Sequence, residues 1–92
     1  MNAEAAADLS RDALIWLADQ PEALGQFLAA SGAAAEDLRA RLRDPEFLGF
    51  VLDFVLSSEE MAHDFAAGAG LPPDAMLRAR ALLPGGDLPN WT

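Results

Sequence analysis

The chain has 92 residues and a mass of 9.8 kDa, which suits one small domain and leaves no room for a large enclosed active-site cleft. Six arginines, no lysine and 15 acidic residues give a net charge of −9, which disfavours nucleic acid and anionic membranes because both carry negative charge. The absence of cysteine excludes disulfides, thiolate nucleophiles and sulfur-ligated metals.

The amino-acid usage predicts an all-α fold. Alanine occurs 20 times and leucine is common, whereas β-branched residues are few and tyrosine is absent. Alanine and leucine favour helices, and β-branched and aromatic residues favour strands. We expect a single helical domain over residues 1–86, followed by a C-terminal tail over residues 87–92.

Three short helices are predicted in the first half of the chain. The first covers residues 3–18, with an apolar face that includes Leu9 and Leu17. Asp19 is predicted to cap the second helix, which has Pro21 in its first turn and Gly32 just past its end. A third helix is predicted over residues 35–43.

The fourth helix is the predicted centre of the bundle. Residues 44–46, Asp-Pro-Glu, combine a cap, a proline and an acidic residue, which is a helix start signal. From residue 47 to residue 56 only Gly49 and Asp53 are not bulky and apolar, so this helix should be buried on most of its circumference. Gly49 and Asp53 share a narrow outer stripe, where Asp53 could pair with Arg39 or Arg43.

Two more helices complete a compact bundle of five to six short helices around the central one. Ser57 and Glu60 have capping-box spacing at the start of the fifth helix, which should end near Gly68 or Gly70. Residues 72–74, Pro-Pro-Asp, open the sixth helix, and residues 84–86, Pro-Gly-Gly, stop it.

An internal duplication is one interpretation of this pattern. A shift of 38 residues places Leu14 on Leu52 and Phe27 on Phe65, and it also aligns two further identical pairs. The chain would then consist of two three-helix pseudo-repeats. Chance matching in a sequence rich in alanine and leucine is the other interpretation, and both stay open.

The second half of the chain also has the spacing of a helix-turn-helix, which would make residues 61–83 a nucleic-acid-binding module. A small residue lies in the first helix, Gly70 in the turn and apolar residues in the second helix, with Arg78 and Arg80 exposed. The second helix of this motif would nevertheless offer no Lys, Asn or Gln to base edges. Together with the charge of the chain, this makes nucleic acid the alternative and not the first hypothesis.

No catalytic, cofactor or metal residues are predicted, and we do not expect an enzyme. Glu60 and His63 have the spacing of a carboxylate-bridged metal site in a helical bundle, but such a site needs a second copy and His63 is the only histidine. The four serines have no local base beside them, and they are expected at helix ends or on polar faces. No cofactor is implied.

A candidate interaction surface remains. Arg39, Arg41 and Arg43 form the main positive cluster, which either contacts a small anion or an acidic partner together with the arginines of the sixth helix or is solvated surface. Ile15 and Trp91 are apolar residues without a place in the bundle, so either the tail docks near Ile15 or both contact another protein. The candidate surface comprises Arg39, Arg41, Arg78, Arg80, Ile15 and Trp91.

Motifs along nearly the whole chain resemble a family of short bacterial proteins, mostly alphaproteobacterial, the domain-of-unknown-function family numbered 3572. They include residues 37–41 (DLRAR), 44–48 (DPEFL), 51–54 (VLDF) and 79–85 (ARALLPG). The resemblance implies a stand-alone cytoplasmic protein of this length and lends no site residues.

The sequence thus favours a small acidic helical protein that binds an unknown protein partner, as a monomer or homodimer. The N-terminus carries acidic residues where an export signal carries positive charge. The most apolar segment, residues 47–56, has ten residues, whereas a membrane span needs about 20. We therefore expect a soluble cytoplasmic protein without a membrane span.

Overall fold

The computed structural model describes residues 1–85, which form six α-helices and no strand. The helices are α1 (Ala3–Ala18), α2 (Pro21–Ser31), α3 (Leu38–Arg41), α4 (Pro45–Leu56), α5 (Glu59–Ala69) and α6 (Ala75–Ala81), with a 3-10 turn over Ala35–Asp37. The predicted all-α bundle is confirmed. The predicted tail over residues 87–92, including Trp91, lies outside the described residues.

Helix α4 lies at the centre of the bundle, as its apolar run predicts. Six of its twelve residues are buried. They are Phe47, Leu48, Gly49, Val51, Leu52 and Val55. The helix packs against α1, α5 and α6, so burial of this segment supplies much of the hydrophobic stabilisation of the fold.

An aromatic cluster joins α2 to α4. Phe27 is completely buried, and its ring centroid lies 5.6 Å from Phe47, 5.6 Å from Phe50 and 5.3 Å from Phe54. The ring planes of Phe47 and Phe54 are nearly perpendicular to that of Phe27, an arrangement that aromatic pairs favour. Phe27 is therefore the main anchor of α2 on the central helix.

Helix α1 is fixed to α4 by a buried polar contact. The Ser10 side chain lies in the middle of α1, and its Oγ donates a hydrogen bond to the carbonyl oxygen of Leu48 at 2.6 Å. The prediction that Ser10 lies at a helix end or on a polar face is wrong. The hydroxyl is accommodated in the core because the α4 carbonyl satisfies its donor.

The helix caps differ from the predicted ones at two positions. Asp19 does not cap α2; it ends α1, and its backbone N–H donates to the carbonyl oxygen of Trp16 at 3.1 Å. Ser57 likewise ends α4, since its N–H donates to the carbonyl oxygen of Asp53 at 3.0 Å. Ser58 caps α5 instead, and its Oγ accepts a hydrogen bond from the N–H of Met61 at 3.2 Å.

The third helix is shorter than predicted. The predicted helix over residues 35–43 is a 3-10 turn followed by the four residues of α3, Leu38–Arg41. No side chain caps the start of either element: Ala34 precedes the 3-10 turn and has no side-chain acceptor, and Asp37 precedes α3 with helical backbone angles and makes no capping hydrogen bond. The Arg11 side chain of α1 stabilises the other end, where its Nε donates to the carbonyl oxygen of Leu42 at 2.8 Å.

Two predicted helix ends are confirmed by their glycines. Gly32 ends α2 at φ 73° and Gly70 ends α5 at φ 67°, both in the left-handed region that glycine adopts most readily. Within residues 1–85, three helices thus precede α4 and three begin with it, and the internal duplication stays a prediction. Among the helices of residues 1–85, none combines the length and the apolar character required to cross a bilayer.

Candidate interaction surfaces

Arg80 is committed to contacts within the fold. Its Nε donates to Asp53 Oδ1 at 2.6 Å and its Nη2 donates to Asp53 Oδ2 at 3.0 Å, a two-point ion pair that joins α6 to α4. Its Nη1 donates to the carbonyl oxygens of Leu83 at 3.4 Å and Pro84 at 2.9 Å. The side chain is only 16% exposed, so the prediction of an exposed Arg80 is wrong.

Gly49 makes room for this arginine. A Cβ at position 49 would lie 2.9 Å from Arg80 Nη1 and 3.1 Å from the carbonyl oxygen of Pro84. The predicted outer stripe of α4 is therefore covered at Gly49. Asp53 pairs with Arg80 and not with Arg39 or Arg43, because α6 and the turn after it pack across this side of α4.

The other predicted arginines do not converge on one surface either. Arg78 lies 3.5 Å from Asp74 in an exposed ion pair on α6. The Arg41 guanidinium carbon lies 5.4 Å from the ring centroid of Phe47, a cation–π contact. The structure therefore distributes Arg41, Arg78 and Arg80 over three separate local contacts.

Among the members of the candidate surface that lie within residues 1–85, Ile15 and Arg39 are the two that the structure brings together. They line a shallow hollow of about 160 Å³ between α1 and α3. Ile15 is 62% exposed and also borders a second hollow, beside Trp16 and Phe65. Ile15 is thus an apolar projection between two hollows.

A further surface, which the sequence did not predict, lies between α5 and α6. It is a groove of about 350 Å³, open to solvent on one side and mainly apolar. Its walls are formed by Leu56, Ala62, His63, Ala66, Ala67, Leu71, Pro73, Met76 and Leu77. We call this surface the α5–α6 groove.

The groove exists because small side chains face larger ones. Helix α5 contributes three alanines, whereas Leu71, Met76 and Leu77 form the opposite side. Met76 is buried, but Leu77 is 62% exposed at the edge of the groove. The three alanines on one side of α5, together with a leucine on the outward side of α6, are the signal in the sequence that could have indicated the groove.

The charges around the groove are mostly negative. Glu59 precedes Ala62 and His63 by three and four residues, so it lies on the same side of α5 as the groove. Glu60 and Asp64 lie one helical turn apart on the exposed flank of α5 that adjoins His63. All three carboxylates are exposed, and none has a basic partner within 4.0 Å among residues 1–85.

The proposed helix-turn-helix has a short second helix. Helix α6 has seven residues, Ala75–Ala81, and ends three residues before the Pro-Gly-Gly segment predicted to stop it. Its buried side consists of Ala75, Met76 and Ala79. Because Arg80 is turned towards Asp53, the outward side of α6 presents Leu77 and the ion-paired Arg78.

Glu60 and His63 are both exposed on α5. Among the residues that the structure describes, His63 is the only titratable side chain in the wall of the groove. No group of three or more His, Cys, Asp or Glu residues within the described chain is arranged to hold a metal ion. The groove therefore offers an apolar surface with a single imidazole.

Comparison with known proteins identifies one family. A family model described as "Protein of unknown function (DUF3572)" matches residues 3–86. No curated protein matches the chain, and no solved structure matches it.

Proposed function

The chain belongs to the DUF3572 family of proteins of unknown function, and we propose that it acts by binding another protein through the α5–α6 groove, without catalysing a reaction. The observation that carries this proposal is the exposed Leu77 at the edge of an apolar groove. Apolar side chains that are exposed beside an apolar depression are typical of binding surfaces.

The size and shape of the groove favour side chains of another polypeptide as its occupant. A volume of about 350 Å³ lies at the lower end of the range for ligand pockets, which is roughly 300–1,000 Å³. The groove is open along one side, so a small molecule would stay largely in water. A few apolar side chains on the surface of a partner would fill it and would cover Leu77.

The residues of the groove also support a role in binding over a role in catalysis. A nucleophile needs an adjacent base, and an acid–base pair needs two titratable groups within reach of the substrate. Within the described part of the chain, the wall of the groove contains His63 and otherwise alanine, leucine, methionine and proline.

The helix-turn-helix alternative has less support. Arg80 is held by Asp53, and Arg78 lies beside Asp74, so α6 has few cationic groups to offer to phosphates. A gel-shift titration with random duplex DNA at low salt discriminates between the two functions. Retardation by the wild-type protein that Arg78→Ala abolishes would favour the alternative.

Site-specific photo-crosslinking in cells of the organism that encodes the protein tests the proposal. A photoreactive amino acid replaces Ala67 in the groove or, as a control, the exposed Ala30 on α2. We expect a discrete adduct with another polypeptide from position 67, absent from position 30 and lost when Leu77→Asp is added. Identical adducts from both positions, or no adduct from position 67, would overturn the proposal.

A further inference from the structure

We infer that the partner segment that binds the α5–α6 groove is cationic: a short stretch with apolar anchors flanked by lysine or arginine. This inference rests on the proposed function and names the chemistry of the partner. It is carried by the combination of an apolar groove with uncompensated carboxylates along the same helix.

Three carboxylates of α5 lie beside the groove. Helical periodicity places Glu59 at the end of the groove and Glu60 and Asp64 along its outer edge, while Leu77 lies on the opposite wall. A segment that inserts apolar side chains beside Leu77 would therefore bring its flanking residues close to three negative charges. Cationic flanks would be attracted there, and acidic flanks would be repelled.

The two arginines of α6 are engaged in ion pairs with other carboxylates. Arg80 is bound to Asp53 and Arg78 is paired with Asp74, so neither neutralises the carboxylates of α5. The remaining arginines belong to α1 and to the segment 38–43. The negative charge beside the groove is thus not balanced by the two arginines of α6.

The net negative charge of the whole chain also favours a cationic partner. A net charge of −9 produces a field that attracts cationic partners and speeds their association at low salt. The same field opposes binding of a second copy of this chain, which would bring two strongly acidic molecules together. The structure therefore favours a basic partner over self-association.

The test uses three synthetic helical peptides with the full-length protein. Each peptide has two leucines four residues apart, and its three flanking positions carry Lys, Gln or Glu. Binding is measured by nuclear magnetic resonance of the ¹³C-labelled methionine methyl groups, since Met76 lines the groove and reports occupancy directly. Titrations are made at low and at high salt.

We expect the Lys peptide to bind about tenfold more tightly than the Glu peptide at low salt, because each exposed ion pair contributes modestly. High salt should reduce this preference to less than about twofold, since it screens exposed charges. The Leu77→Ser variant should lose binding of all three peptides. The matched Ile15→Ser variant changes an aliphatic side chain of equal exposure, 62%, and should retain it.

A pair of charge variants separates local from global attraction. One carries Glu59→Gln, Glu60→Gln and Asp64→Asn beside the groove. The other carries Glu22→Gln, Glu36→Gln and Asp37→Asn, which raise the net charge equally but lie on α2 and the 3-10 turn. Only the first should lose the preference for the Lys peptide.

The peptide titrations distinguish failure of the cationic partner from failure of binding in the groove. Equal affinity for all three peptides, or a preference for the Glu peptide, would overturn the cationic partner and leave apolar docking in the groove intact. Equal effects of the two charge variants would also overturn it, because attraction would then come from the whole molecule. If no peptide shifts the Met76 signal at millimolar concentration, the cationic partner is rejected, and the crosslinking experiment decides the proposed function separately.

Discussion

The guanidinium of Arg80 on α6 and the carboxylate of Asp53 on α4 form a two-point ion pair across 27 residues of sequence, with N···O distances of 2.6 and 3.0 Å. The same guanidinium donates to the carbonyl oxygens of Leu83 and Pro84. One side chain thus joins the central helix to α6 and also stabilises the turn that follows α6.

Removing this side chain should destabilise the fold. Arg80→Ala loses the ion pair and the two carbonyl contacts, so we expect the free energy of unfolding to fall by about 1–3 kcal/mol. Urea denaturation measures this change. Arg78→Ala is the matched control, because Arg78 is 58% exposed and its ion pair spans 3.5 Å, and it should change stability by less than about 0.5 kcal/mol. Equal losses in both variants would contradict the role assigned to Arg80.

Two glycines should respond to alanine in opposite ways. Gly49→Ala would press a methyl group against Arg80 and Pro84 and should cost about 1–3 kcal/mol. A Cβ at position 25 on α2 would meet no atom of residues 1–85 within 4 Å, so Gly25→Ala should stabilise the protein by up to about 1 kcal/mol, since alanine favours a helix. Thermal denaturation separates the two. The cost of Gly49→Ala should also shrink in an Arg80→Ala background, because the two residues are in contact.

The register of the α5 cap can be tested with adjacent serines. Ser58→Ala removes the side-chain acceptor for the N–H of Met61 and should cost about 1 kcal/mol. The exposed Ser57 donates back to the carbonyl oxygen of Phe54, so Ser57→Ala should cost less. Chemical denaturation of both variants gives the comparison. If Ser57→Ala lowered the free energy of unfolding more than Ser58→Ala, the predicted capping box of Ser57 and Glu60 would be correct and the cap at Ser58 would be wrong.

Phe27 should be among the most sensitive positions of the fold. Its ring is completely buried among three phenylalanines of α4, so Phe27→Ala should cost about 3–5 kcal/mol through lost burial and a cavity. Leu77→Ala, by contrast, truncates a side chain that is 62% exposed and should leave stability nearly unchanged. A large loss from Leu77→Ala would mean that the groove variants test folding and not binding.

Local chemistry explains which elements could be predicted from the sequence. The apolar run of α4 and its start at Asp44 were predictable, because each follows from neighbouring residues, and the Asp44 side chain does accept from the N–H of Glu46 at 3.0 Å. The two serines at residues 57 and 58 are chemically equivalent caps. Ser58 caps α5 because Ser57 is already the C-terminal cap of the preceding helix, α4, and this follows only from where α4 ends.

The tertiary contacts could not be predicted in the same way. Asp53 has several arginines as potential partners in the sequence, and Arg80 is selected only once α6 has packed across α4. The α5–α6 groove likewise needs Leu56, Leu71 and Met76 from three separate segments to meet around the alanines of α5. The sequence shows that these residues are apolar, but it does not show which of them stay exposed to solvent after the helices have packed.

The contact between Trp16 and Phe65 gives the molecule a natural optical reporter. The two ring centroids lie 5.8 Å apart, at a contact between α1 and α5. We therefore expect the fluorescence emission of Trp16 to change when α5 moves relative to α1. Helix α5 also forms one wall of the groove, so a small displacement of this helix on occupancy would change the indole signal without any attached dye. The chain contains a second tryptophan, Trp91, and a Trp91→Phe variant would leave Trp16 as the only indole fluorophore.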